Sequence, residues 1–306
     1  MKCLVVTSKE YLRMEHSFRE CLQVLGYAET SVDSIPSQLR EFFHYLESVE
    51  INRIEDITVD SVTGFFDKLK VRAKVRTGLP LSNGYLNKHL QTLRLFTKYL
   101  RETEQNPFAI EVATFKEQRN IKDILTQNEV QLLYQSAENT MYGVRDKAML
   151  SIYYGCGLRC NEGVQLDTSD ILFERQMVYV RKGKNYTERY VPTSPKILQD
   201  VSEYIHNART SFMIEGREAQ ALFISQRGLR INGQSLALRL KALVEKTDDE
   251  KLKSKDIGMH SLRHSIATHL LIGGMKLERI AKFLGHKTIE STQIYTHLAH
   301  ELQNPS

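Results

Sequence analysis

Apolar residues at helical spacing are the feature of this sequence that most restricts its fold. In the first third of the chain they recur every three or four positions in several segments, the last of which carries Leu86, Leu90, Leu93 and Leu100. Such spacing places apolar side chains on one face of a helix, and that face must be buried against other helices. We therefore predict a small all-helical domain with helices over residues 11–25, 37–48, 60–70 and 85–101.

The helical pattern is interrupted between Thr103 and Arg119, a stretch that contains Asn106-Pro107 and has no regular periodicity. Such a break is typical of an interdomain linker. With 306 residues, the chain is long enough for two domains that each bury a core. We predict one domain over residues 1–110, a linker over 111–120 and a second domain over 121–306.

The second domain combines helical segments with one pair of β-prone runs. Residues 126–129 (TQNE) are typical of a capping box that begins a helix. Residues 177–180 and 188–191 predict a β-hairpin, whose tip carries Lys182 and Lys184. Further helices are predicted over residues 143–154, 195–209, 234–246, 261–272, 277–284 and 288–298. The expected fold class is mainly α, with a small sheet or hairpin in the C-terminal domain.

Basic residues are concentrated in one part of the first domain. Residues 1–67 contain six Lys and Arg against twelve Asp and Glu, whereas residues 68–101 contain nine basic residues and no acidic one. Such a segment suits a phosphate backbone, although a solvated basic face is the alternative. On the helix predicted over 85–101, Lys88, Lys98 and Arg101 share the face opposite the leucines. We predict that these three side chains contact DNA.

Composition argues against several other classes of protein. No apolar stretch approaches the roughly 20 residues that span a bilayer, and the opening run at residues 3–6 is too short for a signal peptide. We therefore expect a cytoplasmic protein. The four cysteines lack the paired spacings of a zinc module. The zinc pattern of metalloproteases requires a glutamate directly after its first histidine, but His260 is followed by Ser261. No metal or other cofactor is expected.

Several short segments of the second domain carry arginines, histidines and a tyrosine in a characteristic order. They are residues 157–162 (GLRCNE), 183–192 (GKNYTERYVP), 260–269 (HSLRHSIATH), 284–286 (LGH) and 292–297 (TQIYTH). In this order they resemble the tyrosine site-specific recombinases, or phage integrase family, in an Xer-like arrangement. The helical first domain is similar to the SAM-like core-binding domain of that family. The resemblance implies a two-domain clamp on DNA, with a catalytic C-terminal domain.

The resemblance also implies a role for each site residue. Tyr295 would be the nucleophile, although a phenol with a pKa near 10 is only about 0.1% ionised at neutral pH and needs help from its neighbours. Arg159 and Arg263 would hold the non-bridging oxygens of the attacked phosphate. The remaining assignments are His260 as general acid or base, His286 as a hydrogen-bond donor to the phosphate, and Lys184, preferred over Lys182, as the proton donor to the leaving 5′ oxygen.

The implied reaction forms a 3′-phosphotyrosyl intermediate and needs neither ATP nor metal. The implied partner is double-stranded DNA with a specific recombination site, bound by a homo- or hetero-tetramer. Chromosome-dimer resolution, integration or excision of a mobile element, and DNA inversion all share this chemistry. Alternatives are a type IB topoisomerase and a DNA-binding accessory protein without catalysis. A metal-dependent nuclease would need carboxylates near the histidines, but Asp248, Asp249 and Glu250 are predicted to lie in a solvated, charged loop. His264 and His269 are expected to serve packing or to support the site.

Overall fold

The computed structural model describes residues 4–74, 78–116, 123–182, 188–217, 220–286 and 288–303. The chain divides into two compact units, Met1–Arg119 and Asn120–Ser306. Each unit has its own hydrophobic core. Among the described residues, no helix combines the length and the apolar character needed to cross a membrane.

The first unit is a bundle of helices around an aromatic core. Its helices are α1 (Lys9–Val24), α2 (Glu29–Ser48), α3 (Val59–Val71) and α4 (Asn83–Glu102). Helix α2 packs against the other three, and the rings of Tyr11 and Phe43 stack between α1 and α2 with centroids 4.3 Å apart. The leucine face predicted for α4 is buried, as expected from its spacing.

Helix α2 begins at Glu29, eight positions before the predicted start at residue 37. The prediction stopped at Pro36, because proline lacks the N–H of the helical ladder and its ring crowds the preceding turn. In the structure Pro36 lies inside α2 and is buried together with Val32 and Leu39 on the core side. Packing of this apolar face offsets the lost hydrogen bond, so the prediction of the helix start was wrong.

Residues 108–115 have no regular secondary structure and are bound to the first unit. The Asn87 side chain accepts a hydrogen bond from the Phe115 backbone N–H and donates one to its carbonyl, each at 2.9 Å. Phe108 is buried in the aromatic core. The first half of the segment predicted as a linker therefore lies against α4, and residues 117–122 are outside the described part of the chain.

The second unit contains the remaining helices and a small antiparallel sheet. The helices are α5 (Gln127–Gln135), α6 (Met141–Leu150), α7 (Cys160–Val164), α8 (Pro195–Glu203), α9 (Gly233–Glu245), α10 (Glu250–Ser254), α11 (Met259–Ile272), α12 (Leu277–Leu284) and α13 (Glu290–Gln303). Strands β1 (Ile171–Leu172), β2 (Met177–Val180) and β3 (Arg189–Pro192) are paired in that order. The mainly α fold class is confirmed, and so is the pairing of β2 with β3, with Val178 opposite Val191.

One end of a predicted loop of the second unit is the start of a helix: Glu250 is the first residue of α10, whereas Asp248 and Asp249 precede it. Asp249 caps α10, and its side chain accepts a hydrogen bond from the Leu252 N–H at 3.0 Å. Leu252 is fully buried. The prediction that Glu250 belongs to a charged loop was wrong, because one aspartate cap and one buried leucine are enough to hold this short turn of helix.

Candidate active site

Four of the predicted site residues of the second unit come together where α11, α12 and α13 meet the start of α7: Arg159, Arg263, His286 and Tyr295. Helix α11 packs against both α12 and α13. A separate apolar cluster, which includes Ala267, Ile280, Leu284 and Leu298, joins the three helices and also contains the ring of Tyr295. The backbone positions of the site are thus fixed by packing.

Arg159 stands at the N-cap position of α7 and is bound to Glu162 in two ways. Its backbone N–H and its guanidinium each donate to a Glu162 carboxylate oxygen at 2.8 Å. The guanidinium keeps about a quarter of its surface exposed, at 27%. Glu162 therefore orients the Arg159 side chain and leaves part of it open to a ligand.

Arg263 lies on α11 and is almost fully buried. Its guanidinium donates to the carbonyl of Gly157 at 2.6 Å and to that of Leu284 at 2.7 Å. Gly157 has a φ of +60°, and a Cβ there would lie 2.9 Å from the Leu284 side chain. Burial, together with the nearby Arg159 charge, lowers the pKa of Arg263 to about 10, so it remains charged at neutral pH.

Arg189 is a functional candidate that was not singled out from the sequence. From strand β3 it donates to both Glu162 oxygens, at 3.1 and 2.8 Å, and to the Phe283 carbonyl at 3.0 Å. Burial alone would raise the pKa of Glu162, but the hydrogen bonds and charge of Arg189, with the Arg159 and Arg263 contacts, lower it to about 2. The available signal was strand alternation: Arg189 is on the same side of β3 as the buried Val191, and a buried arginine requires a partner.

Tyr295 lies on α13 and is 1% exposed. Its hydroxyl is 3.2 Å from Nδ1 of His264, and its ring stacks on the His286 ring at a centroid distance of 6.1 Å. Burial raises the pKa of the Tyr295 phenol above its ordinary value, and the hydrogen bond and charge of Arg263, with the charge of Arg159, offset this rise only in part. The phenol is therefore protonated at neutral pH.

His286 follows the left-handed residue Gly285, which ends α12 with a φ of +67°. A Cβ at Gly285 would lie 2.8 Å from the Arg189 guanidinium, so glycine allows the close approach. Nδ1 of His286 is 2.8 Å from the Thr292 hydroxyl. Burial, with the charges of Arg263, Arg159 and Arg189, lowers the pKa of His286 to about 4, and the ring is neutral at pH 7.

The remaining predicted residues are placed as follows. His260 is exposed on α11, with its ring centroid 6.4 Å from that of His264. Lys182 is exposed, and Lys184 lies outside the described residues. In the first unit, Lys88, Lys98 and Arg101 are all exposed on α4, and Lys98 lies 3.6 Å from Glu102.

Acidic and metal-binding side chains do not gather elsewhere in the described ranges. Within them, no group of three or more His, Cys, Asp or Glu residues is placed to hold a metal ion. The carboxylate beside Arg159 and Arg263 is that of Glu162, which is already bound to Arg159 and Arg189. The arrangement can bind an anion next to a phenol, using positive side chains alone.

Comparison with known proteins gives a consistent result over the whole chain. The phage integrase family pattern matches residues 123–301. The tyrosine recombinase XerD of Oceanobacillus iheyensis is 32% identical and covers 89% of each chain, and the tyrosine recombinase XerC of Bacillus subtilis is 29% identical over 93% of this chain and 91% of its own. The same fold is found in the crystal structure of the XerH site-specific recombinase bound to difH substrate, a pre-cleavage complex. The TM-score is 0.70 at 19% identity, and the match covers 97% of this chain and 86% of that chain.

Proposed function

Because this chain belongs to the phage integrase family of tyrosine recombinases, we propose that it is a site-specific DNA recombinase whose nucleophile is Tyr295. The observation that carries the residue assignment is the burial of the Tyr295 ring against His286, in the cluster of helices that also holds Arg263 on the carbonyl of Gly157, two residues before Arg159. These two guanidiniums cannot lose their charge at neutral pH and present fixed forks to a phosphate. A phenol without such neighbours would stay protonated and inert.

Each side chain has a part in the proposed reaction. The Tyr295 oxygen attacks phosphorus, while Arg159 and Arg263 stabilise the charge that develops on the non-bridging oxygens. His286 hydrogen-bonds the same phosphate, and His260, which can reach the phosphate or the phenol, assists as general acid or base. Cleavage leaves a 3′-phosphotyrosyl bond and a 5′ hydroxyl, which attacks in turn to rejoin a strand. The bond energy is conserved, so no ATP is consumed.

The leaving 5′ oxygen needs a proton, for which we propose the ammonium of Lys184, with Lys182 as the alternative. Both lysines belong to the β2–β3 hairpin predicted from the sequence. An ammonium at a hairpin tip can close over bound DNA and act as the general acid.

We further propose that residues 1–110 form the core-binding domain and residues 121–306 the catalytic domain. The substrate is double-stranded DNA with a specific recombination site, and the active assembly is a tetramer. In support, solved relatives include the lambda integrase dimer bound to a COC′ core site and the XerH complex with difH. The place of action would be the cytoplasm, where such DNA is found.

A covalent-trapping assay tests the assignment. On nicked DNA from the gene's own locus, the short fragment that carries the new 5′ hydroxyl can diffuse away after cleavage. The strand cannot then be rejoined, and the protein remains attached to the 3′ phosphate. Wild-type protein should accumulate adducts and Tyr295→Phe should form none, whereas Tyr27→Phe, at a half-exposed tyrosine of the first unit, should behave as wild type. Adducts that persist in Tyr295→Phe would disprove the assignment.

The same assay with a 5′-thio leaving group identifies the lysine. A thiolate leaves without a proton, so the thio substrate should restore adduct formation to the variant that has lost the general acid. We expect rescue of Lys184→Ala. Rescue of Lys182→Ala in its place would transfer the role to Lys182.

A further inference from the structure

We propose that His264 is a catalytic residue, which accepts the phenolic proton of Tyr295 as the phenol attacks DNA. The inference rests on the proposed function and adds to it a residue that the sequence assigned to packing or support. Proton transfer requires heavy atoms within hydrogen-bond reach, and geometry is the first criterion for a general base.

The geometry singles out His264 among the histidines of α11. Its Nδ1 is 3.2 Å from the Tyr295 hydroxyl, and the two ring centroids are 5.6 Å apart. Helix α11 packs closely on α13, and the Thr268 hydroxyl bonds the His264 carbonyl at 2.9 Å, in the next turn of α11. The contact therefore joins two residues whose helices are held together by the core of the site.

His260 is one helical turn earlier and has a different environment. Its side chain is exposed, whereas that of His264 is partly buried between Tyr295 and the rest of α11. Residues four apart lie on one face of a helix, so both rings face the same side, with His260 outermost. This order suits contact of His260 with the phosphate and of His264 with the nucleophile.

The charged and titratable groups around His264 are His260 and Arg263 on its own helix, Tyr295 on α13, and His286 before α13. Burial, then the charges of His260 and Arg263, lower the pKa of His264 to about 4, so its ring is neutral at pH 7. In the tautomer protonated at Nε2, Nδ1 accepts the phenol hydrogen. A bound phosphodiester adds negative charge beside Arg263. This charge raises the pKa of His264 again, so that His264 is a stronger base when substrate is present.

The proposed step is balanced. The O–H bond of Tyr295 breaks and an N–H bond forms at His264 Nδ1, while an electron pair on the phenol oxygen forms the new O–P bond. The P–O5′ bond breaks, and its electron pair leaves on O5′, which takes a proton from the hairpin lysine. Rejoining reverses both transfers, since His264 returns its proton to the departing phenolate.

The variant His264→Asn separates proton transfer from orientation. The asparagine amide oxygen can still accept the phenol hydrogen bond but cannot take up the proton. We expect the trapping rate at pH 7 to fall by about 100-fold, within the range of general-base contributions. Between pH 7 and pH 9 the deficit relative to wild type should shrink by up to about tenfold per pH unit, because the phenolate fraction rises by that factor below the phenol pKa.

The chain offers a matched control in His269, a second histidine of α11 that contacts a tyrosine from another element. Nδ1 of His269 is 2.9 Å from the Tyr154 hydroxyl, outside the proposed machinery. His269→Asn should keep the wild-type trapping rate per folded molecule and its pH dependence, with folding checked by circular dichroism and DNA binding by gel shift.

The outcomes are distinguishable. A wild-type rate in His264→Asn, or a deficit that is constant from pH 7 to pH 9, would overturn the inference and assign His264 to orientation or packing. If the 5′-thio substrate restored His264→Asn, the lost function would be on the leaving-group side, again contrary to the inference. Adducts in Tyr295→Phe on the same DNA would instead overturn the proposed function itself.

Discussion

Glu162 is one buried carboxylate surrounded by positive side chains. It accepts hydrogen bonds from Arg159 and Arg189, and Arg263 lies 3.6 Å away. Three guanidiniums and one carboxylate leave a net charge of about +2, which suits a phosphodiester and its developing charge. Without the carboxylate, three like charges would face one another with little access to water, so Glu162 is required to assemble the phosphate site in the absence of DNA.

We expect Glu162→Gln to lower the free energy of unfolding by about 3 kcal/mol at pH 7. The pKa of Glu162 is about 2 in the folded protein against an ordinary value of 4.5. A depressed carboxyl pKa gives stability that is present above pH 4.5 and lost as the pH falls towards 2. The difference between wild type and variant should therefore shrink in acid, as measured by urea unfolding at a series of pH values.

Glu174→Gln is the control for this measurement. Glu174 is exposed in the turn between β1 and β2, and its removal should change the free energy of unfolding by less than about 0.5 kcal/mol at any pH. A Glu162→Gln deficit that stayed constant down to pH 3 would contradict the charge argument and indicate a loss of packing alone.

At the residue scale, sequence patterns indicate local contacts better than distant ones. The contact of Arg159 with Glu162 is local, because residues three apart at a helix start are neighbours. The contact of Arg189 with the same carboxylate joins positions 27 apart in the chain, and the contact of His264 with Tyr295 joins positions 31 apart. Such pairs depend on how strands and helices pack, which periodicity does not specify.

At the scale of elements, helix α4 separates an apolar face from a basic one. Lys88, Lys98 and Arg101 are exposed, while the four leucines of the predicted apolar face are buried: Leu86, Leu90, Leu93 and Leu100. The helix was predicted from residue 85 and begins at Asn83, because the Ser82 hydroxyl accepts the Tyr85 N–H at 3.3 Å. Hydrophobic periodicity thus predicts the helix and its two faces, whereas a single capping side chain determines where the helix begins.

Replacement of the three basic residues of α4 by alanine should weaken DNA binding in a salt-dependent way. The plot of log K against log salt has a negative slope, and each lost phosphate contact makes it less steep by about 0.9. For three contacts we expect a total change in slope of about 2 to 3. Gel shifts between about 50 and 200 mM salt measure it. The double variant Lys9→Ala with Arg13→Ala, at exposed positions of α1, should leave the slope unchanged. Equal slopes for wild type and the α4 variant would mean that this face is merely solvated.

At the scale of the whole molecule, the chain has two cores and one short connection. The core of the first unit extends to residues 108–115 through Phe108 and the Asn87 hydrogen bonds, so that only residues 117–122 separate the described parts of the two units. If both units contact the same DNA, the connection makes the second contact intramolecular. Affinity would then greatly exceed that of either unit alone.

A protease site inserted within residues 117–122 tests this coupling without a change in the composition of either unit. Before cleavage the protein should bind its site like wild type. After cleavage, affinity should fall by about 100-fold or more, because each unit then binds separately. The matched control carries a scrambled, uncleavable insert of the same length and is treated with the same protease. Retention of full affinity after cleavage would mean that one unit supplies nearly all of the binding free energy, and the basic face of α4 would then lose its role as a second point of contact with the DNA.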